Sequence, residues 1–190
     1  MGCDIHCYRE KLIKSKWVSA DEWIDRYGDG DLDVPYEQQF TDRNYRLFGL
    51  ISDGVRNSFP FSVKQRGLPD NVSPEVKACS DIWGSDGHSH SYLTKQELLD
   101  LLARVDSENI IVKGMKDVDG WDKYKKSLES ENPDYSLIFP FCLMTTMDGF
   151  VSFETKIPAS FMIGESLKRL ISVLDDVYGD DQRIVFWFDN

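Results

Sequence analysis

The sequence is poor in most of the features that announce a function. It has no basic run longer than Lys123–Lys126, and its 33 acidic residues outnumber 22 basic ones, giving a net charge of −11. A long polyanion such as DNA would be repelled by such a chain. It has no apolar stretch near the length of a membrane span, and its first fifteen residues are charged throughout, with no apolar secretory segment. It has four cysteines, Cys3, Cys7, Cys79 and Cys142, and no CxxC pair. A structural zinc site of the usual kind is therefore not expected, and the thiols are expected to stay reduced in a cytoplasm. GxSxG, P-loop, GxGxxG and HExxH motifs are all missing. "MGC" fails as a myristoylation signal because His6 stands where Ser or Thr is needed.

What is present is enough apolar material for a core, at 41% hydrophobic and 13% aromatic residues. The expected fold is a single α+β domain over residues 1–190, mainly antiparallel, with a long ordered loop region over 53–93. "CDIHCYREKLIKSKWVSA" reads as two strands about a turn at Lys14–Lys16, with Ile5 and Cys7 on one face and Asp4, His6 and Tyr8 on the other. "TDRNYRLFGLIS" reads as a helix capped by Thr41 or Asp42 that buries Tyr45 and Phe48. Thr94 and Glu97 form a capping box ahead of "KQELLDLLARV". "GWDKYKKSLES" is a weaker helix. Asp148-Gly149 marks a hairpin between two strands drawn from "YSLIFPFCLMTTMDGFVSFETKI". "GESLKRLISVLDDVYG" places Leu167, Leu170, Ile171, Leu174 and Val177 on one stripe that ends at Gly179. Three to four helices thus pack the sheet. The C-terminal "RIVFWFDN" is apolar on both faces, which predicts a central strand over Ile184–Phe188 in the same sheet as Ile5.

Several of these segments carry a family resemblance. "MGCDIHCY", "RNYRLFGLISDGVRN", "RGLPDNVSPEV", "DGHSHSYLT" and "RIVFWFDN" together resemble a family of small, largely phage-encoded proteins that open with Met-Gly-Cys-Asp-Ile-His. Residues 109–158 fall outside the likeness. The resemblance implies a phage or prophage origin and a host bacterial cytoplasm, and carries no activity with it.

The chain has only three histidines, His6, His88 and His90, and each lies in a short aspartate-containing segment. On an extended chain, residues i and i+2 project the same way. Asp4-x-His6 and His88-x-His90 then each present a pair, and the two pairs meeting would make a site for zinc or manganese. His6, His88, His90 and Asp86 are the candidate catalytic residues; Asp4, His6, His88 and His90 are the candidate metal ligands. Without metal, two histidines can still work as an acid–base pair. A plainer account has His90 capping the helix after Thr94 and His6 packing on Tyr8. Asp29, Asp31 and Asp33 have the spacing of a calcium loop, but the glycine is misplaced and Phe40 occupies the twelfth position. A cysteine nucleophile is disfavoured, since strand parity sets Cys7 on the face opposite His6.

Arg43, Arg56 and Arg66 lie in polar stretches near Asn44, Asn57 and Gln65, and guanidinium forks match phosphate oxygens. Tyr45, Trp83 and Tyr92 offer flat surfaces for a base. Ordinary ion pairing and core packing are the plainer roles for both sets. The leading expectation is a hydrolase of a phosphoester in a small nucleotide, one that serves as a host immune signal in the phage setting. A protein that sequesters such a nucleotide without turnover is the first alternative. An acidic inhibitor of a host protein is the second. The partner is a small nucleotide or other small anion, with no membrane and no long nucleic acid; a homo-oligomer stays open.

Overall fold

The computed structural model describes residues 2–25, 28, 30–56, 59–140 and 148–189. Its elements, in chain order, are β1 (Ile5–Ile13), β2 (Lys16–Ser19), β3 (Ile24–Asp25), β4 (Leu32–Asp33), α1 (Tyr45–Ile51), α2 (Pro74–Trp83), β5 (His88–Thr94), α3 (Lys95–Ser107), β6 (Asn109–Asp117), α4 (Val118–Ser127), β7 (Phe150–Pro158), α5 (Ala159–Ser172) and β8 (Gln182–Phe188). The fold is α+β with antiparallel pairing, and both terminal strands lie in the main sheet, in the order β2-β1-β8-β5. The chain forms two compact units, Met1–Arg104 with Ile163–Asn190, and Val105–Met162.

The first unit is built on β8. Ile184 through Phe188 are all fully buried, as expected of a strand apolar on both faces and paired on both sides. Ile5 pairs with Phe188 and His6 with Trp187. Parity then assigns His6, Tyr8, Val185 and Trp187 to one face, where Val76 and Cys79 of α2 join the core. Phe188 on the other face meets Phe48 of α1, with ring centroids 5.0 Å apart. A buried ion pair fastens the covering loop to the sheet. Arg183 donates to Glu10 at 2.7 Å and to the Asn71 side chain at 3.0 Å, and Glu10 accepts from the Ser73 backbone N–H at 2.6 Å.

Local signals account for most boundaries. The Thr94/Glu97 capping box forms in both directions, at 3.2 and 2.9 Å. α1 starts later than expected: Asn44, not Thr41 or Asp42, caps it by accepting from the Arg46 and Leu47 N–H groups. The 53–93 region is not one long loop. Pro74 sits at the first position of α2, where its missing N–H costs nothing, and β5 begins at His88. α2 escapes a periodicity reading because it buries only Val76, Cys79 and Ser80. α5 stops at Ser172, so Leu174 and Val177 are buried from the following turns rather than from the helix. Asp25 accepts from the Gly28 and Gly30 N–H groups at 2.6 and 3.1 Å. Its carboxylate thereby closes the acidic turn; Asp29 lies outside the described residues.

The second unit contains the ribbon β6–β7, paired in register from Asn109↔Pro158 to Asp117↔Phe150. The expected hairpin partner of β7 falls largely on 141–147, outside the described residues, as does Cys142. Tyr135–Ile138 is a 3-10 turn rather than strand. α4 begins at Val118, capped by Asp117, which accepts from the Gly120 N–H at 2.8 Å.

Candidate functional site

Trp187 organises the face of the sheet beneath α2. It is completely buried, and both neighbouring strands lay an imidazole against it. From β1 comes His6, 5.9 Å between ring centroids; from β5 comes His90, at 5.3 Å; both are stacked. Tyr8 adds a third stacked ring at 5.0 Å. Trp83, the last residue of α2, lies over His6 at 4.0 Å.

Each imidazole has a different polar partner. His6 Nε2 is 3.2 Å from Asp189 Oδ2. A carboxylate can only accept, so Nε2 carries a proton. Asp189 is itself fixed: its Oδ1 accepts from the Asp4 N–H at 3.0 Å, and its N–H donates to the Asp4 carbonyl at 3.2 Å. His90 Nε2 is 2.9 Å from the hydroxyl of Ser80. Burial, with His88 nearby, holds the His90 pKa below its ordinary value, so the ring is neutral at pH 7. The loop packs tightly here. A Cβ at Gly87 would come within 3.1 Å of the Trp83 Cβ and 3.3 Å of the Trp187 ring, so only glycine fits without displacing them.

The i, i+2 expectation for His88 and His90 fails. His88 pairs with Phe188 and Ser91 with Phe186, so three steps on β5 match two on β8. The extra residue is a β-bulge, with Ser89 in the left-handed region at φ +56°. A bulge reverses the alternation. His88 therefore leaves on the Phe188 face, 6.2 Å between rings, while His90 leaves on the Trp187 face. His88 Nδ1 meets Ser89 Oγ at 3.0 Å, and its Nε2 is buried without a partner among the described residues.

The zinc or manganese site expected at Asp4, His6, His88 and His90 does not form. Among the described residues no three metal-ligating side chains gather. The reasons are specific. Trp187 stands between His6 and His90, the bulge turns His88 away, and Asp4 is gripped by the Arg43 fork, Nε to Oδ1 at 2.6 Å and Nη2 to Oδ2. That fork holds the Asp4 carboxyl below its usual range. The carboxylate that orients an imidazole is Asp189 rather than Asp86, which sits exposed in the turn after α2. Asp189 escaped the sequence reading because only the β1–β8 register brings it beside His6. Ser80 escaped because nothing marked α2.

The arginines are not brought together. Arg43 holds Asp4. Arg56 donates to the Gly2 carbonyl at 2.5 Å and lies over Tyr45 at 5.1 Å. Arg66 forks onto Glu97 at 2.7 and 3.0 Å and covers Tyr92 at 5.3 Å. Burial raises the Glu97 carboxyl, but the Arg66 and Thr94 hydrogen bonds outweigh it and leave the pKa low. Asn57 lies outside the described residues. His90 does not cap α3, whose start is closed by Thr94 and Glu97; its carbonyl instead accepts from Gly67 at 2.9 Å. A cavity of about 380 Å³ opens beside Asp4 and Ile5 at the start of β1, with Tyr36, Gln39, Thr41 and Arg43 around it. Thiols are poor nucleophiles here: burial pushes Cys7 up, and pushes Cys79 up to about 11.

No family model, curated protein or solved structure matches the chain. Among the described residues, no helix is long and apolar enough to cross a membrane.

Proposed function

We propose that the protein hydrolyses a phosphoester in a small nucleotide by histidine acid–base chemistry, without a metal ion in the histidine set. One observation carries the reading: two imidazoles flank a single buried indole, one held by a carboxylate and the other kept neutral beside a hydroxyl. Paired titratable groups in unlike surroundings are the usual means of dividing acid and base roles. His90 is the base, its Nε2 lone pair taking the Ser80 hydroxyl proton. His6, oriented by Asp189, serves the leaving oxygen.

Arg43 and the cavity beside Asp4 supply the anion-binding end of this proposal. A phosphate has the oxygen geometry to replace the Asp4 carboxylate on the Arg43 fork. The acidic surface keeps long nucleic acids away and leaves small nucleotides as the substrate class. In the phage setting that the sequence resemblance implies, the substrate is a host immune signal in the bacterial cytoplasm.

The test is incubation with a panel of cyclic mono- and dinucleotides, in EDTA and in zinc or manganese, followed by chromatography. The reading expects product in EDTA at the rate seen with metal, and a loss of about 100-fold or more in His90→Ala. A nucleotide that is depleted but returns intact on heat denaturation would establish sequestration instead. No binding and no turnover would leave the acidic inhibitor as the account.

A further inference from the structure

Resting on that acid–base reading, we propose that Ser80 is the nucleophile of the site and forms a covalent phosphoseryl intermediate. A serine within a helix ordinarily points to solvent or returns its hydroxyl to the carbonyl one turn back. Ser80 instead places Oγ 2.9 Å from His90 Nε2, across from α2 to β5. That is the distance at which a base removes a hydroxyl proton. His90 is fixed for this task on two sides. Its ring stacks on Trp187, and its backbone carbonyl is anchored by the Gly67 N–H at 2.9 Å.

A second observation, independent of the first, points to a ligand with acceptor oxygens. Trp187 is 0% exposed, and its indole N–H is buried with no acceptor among the described residues. A buried donor left unpaired costs roughly 1–3 kcal/mol, so such donors are rare unless something else meets them. The indole is the one on which His90 stacks. A phosphoryl oxygen seated beside Ser80 is a chemically suitable acceptor, and charge grows on that oxygen as the phosphorus is attacked.

The step balances without any partner other than water. Ser80 Oγ forms a bond to phosphorus while its proton passes to His90 Nε2. The phosphorus–oxygen ester bond breaks, and the leaving oxygen takes a proton from His6 and departs as an alcohol; in a cyclic ester it remains tethered and the ring opens. His90 then passes its proton through solvent water to His6, so that both rings are reset. Water then attacks the phosphoserine and gives its proton to His90. The phosphorus–Oγ bond breaks and Ser80 regains a proton.

The experiment uses the full chain and diisopropyl fluorophosphate at pH 8, read by intact mass and peptide mapping. One adduct on Ser80 is expected, with loss of fluoride. It should vanish in Ser80→Ala, which removes one oxygen, and form about 100-fold more slowly in His90→Gln. Thermal melts of both variants verify that they are folded. No adduct on Ser80 in the folded wild type, or labelling that proceeds equally fast in a folded His90→Gln, overturns the proposal. The two readings fail separately. Nucleotide turnover that survives Ser80→Ala sinks the nucleophile and leaves the acid–base pair. An adduct on Ser80 with no nucleotide turned over sinks the nucleotide hydrolase and keeps the nucleophile.

Discussion

The two flanks of β8 differ in a way that defines the site. On the β1 side the register runs unbroken from Ile5↔Phe188 to Lys11↔Gln182, and alternation places every side chain where a regular strand would. On the β5 side one extra residue, Ser89, breaks the ladder. The regular flank presents His6 to a carboxylate, and the bulged flank presents His90 to a hydroxyl. Without the bulge, His88 and His90 would share a face, as a metal pair requires. With it they part, and His90 faces the same indole as His6. One inserted residue thus parts His88 from His90 and sets His90 against the same indole as His6.

The sharpest way to break the comparison is to remove the strand both flanks share. Deleting Arg183–Asn190 strips five fully buried side chains, each contributing about 1.5–3 kcal/mol of apolar burial, against a typical total stability of about 5–15 kcal/mol. The truncated chain is expected to lose its cooperative thermal transition. An unchanged melt would show that β8 is dispensable.

Next in size is Arg183→Met. Arg183 and Glu10 are 3% and 0% exposed as side chains, and breaking a buried pair from one side leaves an uncompensated charge. A loss of about 3–5 kcal/mol in urea unfolding is expected. The Glu10→Leu, Arg183→Met double variant should recover much of it, because no unpaired charge remains buried. Additive losses would contradict this.

These elements also show what was legible in the sequence. The two terminal strands, their shared sheet, the β1 faces and the α3 capping box all follow from period-2 or cap signals read locally. The bulge does not. Ser89 looks like any other residue of "GHSHS", and only the β8 ladder reveals that it is the extra one. Asp189 was visible as a residue but not as a partner, since its role comes from pairing across 183 positions of sequence. Ser80 sits in a helix with too few buried positions to show a stripe. The histidines were thus found as types, while the grouping of His6 and His90 about Trp187 required the fold.

A smaller effect sharpens the contrast between the flanks by pH. The His90 pKa is lowered in the folded state from an ordinary 6.5, chiefly by burial. The unfolded chain then binds the proton more readily. The stability contributed by neutral His90 is fully present above about pH 6.5 and is lost as pH falls through the lower folded value. Stability measured by urea unfolding should therefore decline on the acid side of pH 6.5, and His90→Gln should flatten that decline. An acid slope identical in the variant would place the titration elsewhere.

The most direct measurement of the central claim is the protonation state of the histidines by long-range proton–nitrogen NMR of the ¹⁵N-labelled protein at pH 7. The account predicts a neutral His90 with its proton on Nδ1 and its lone pair on Nε2 toward Ser80. It predicts a proton on His6 Nε2 toward Asp189, and ring signals that equimolar zinc leaves in place. A protonated His90, or zinc-induced shifts common to His6, His88 and His90, would contradict it.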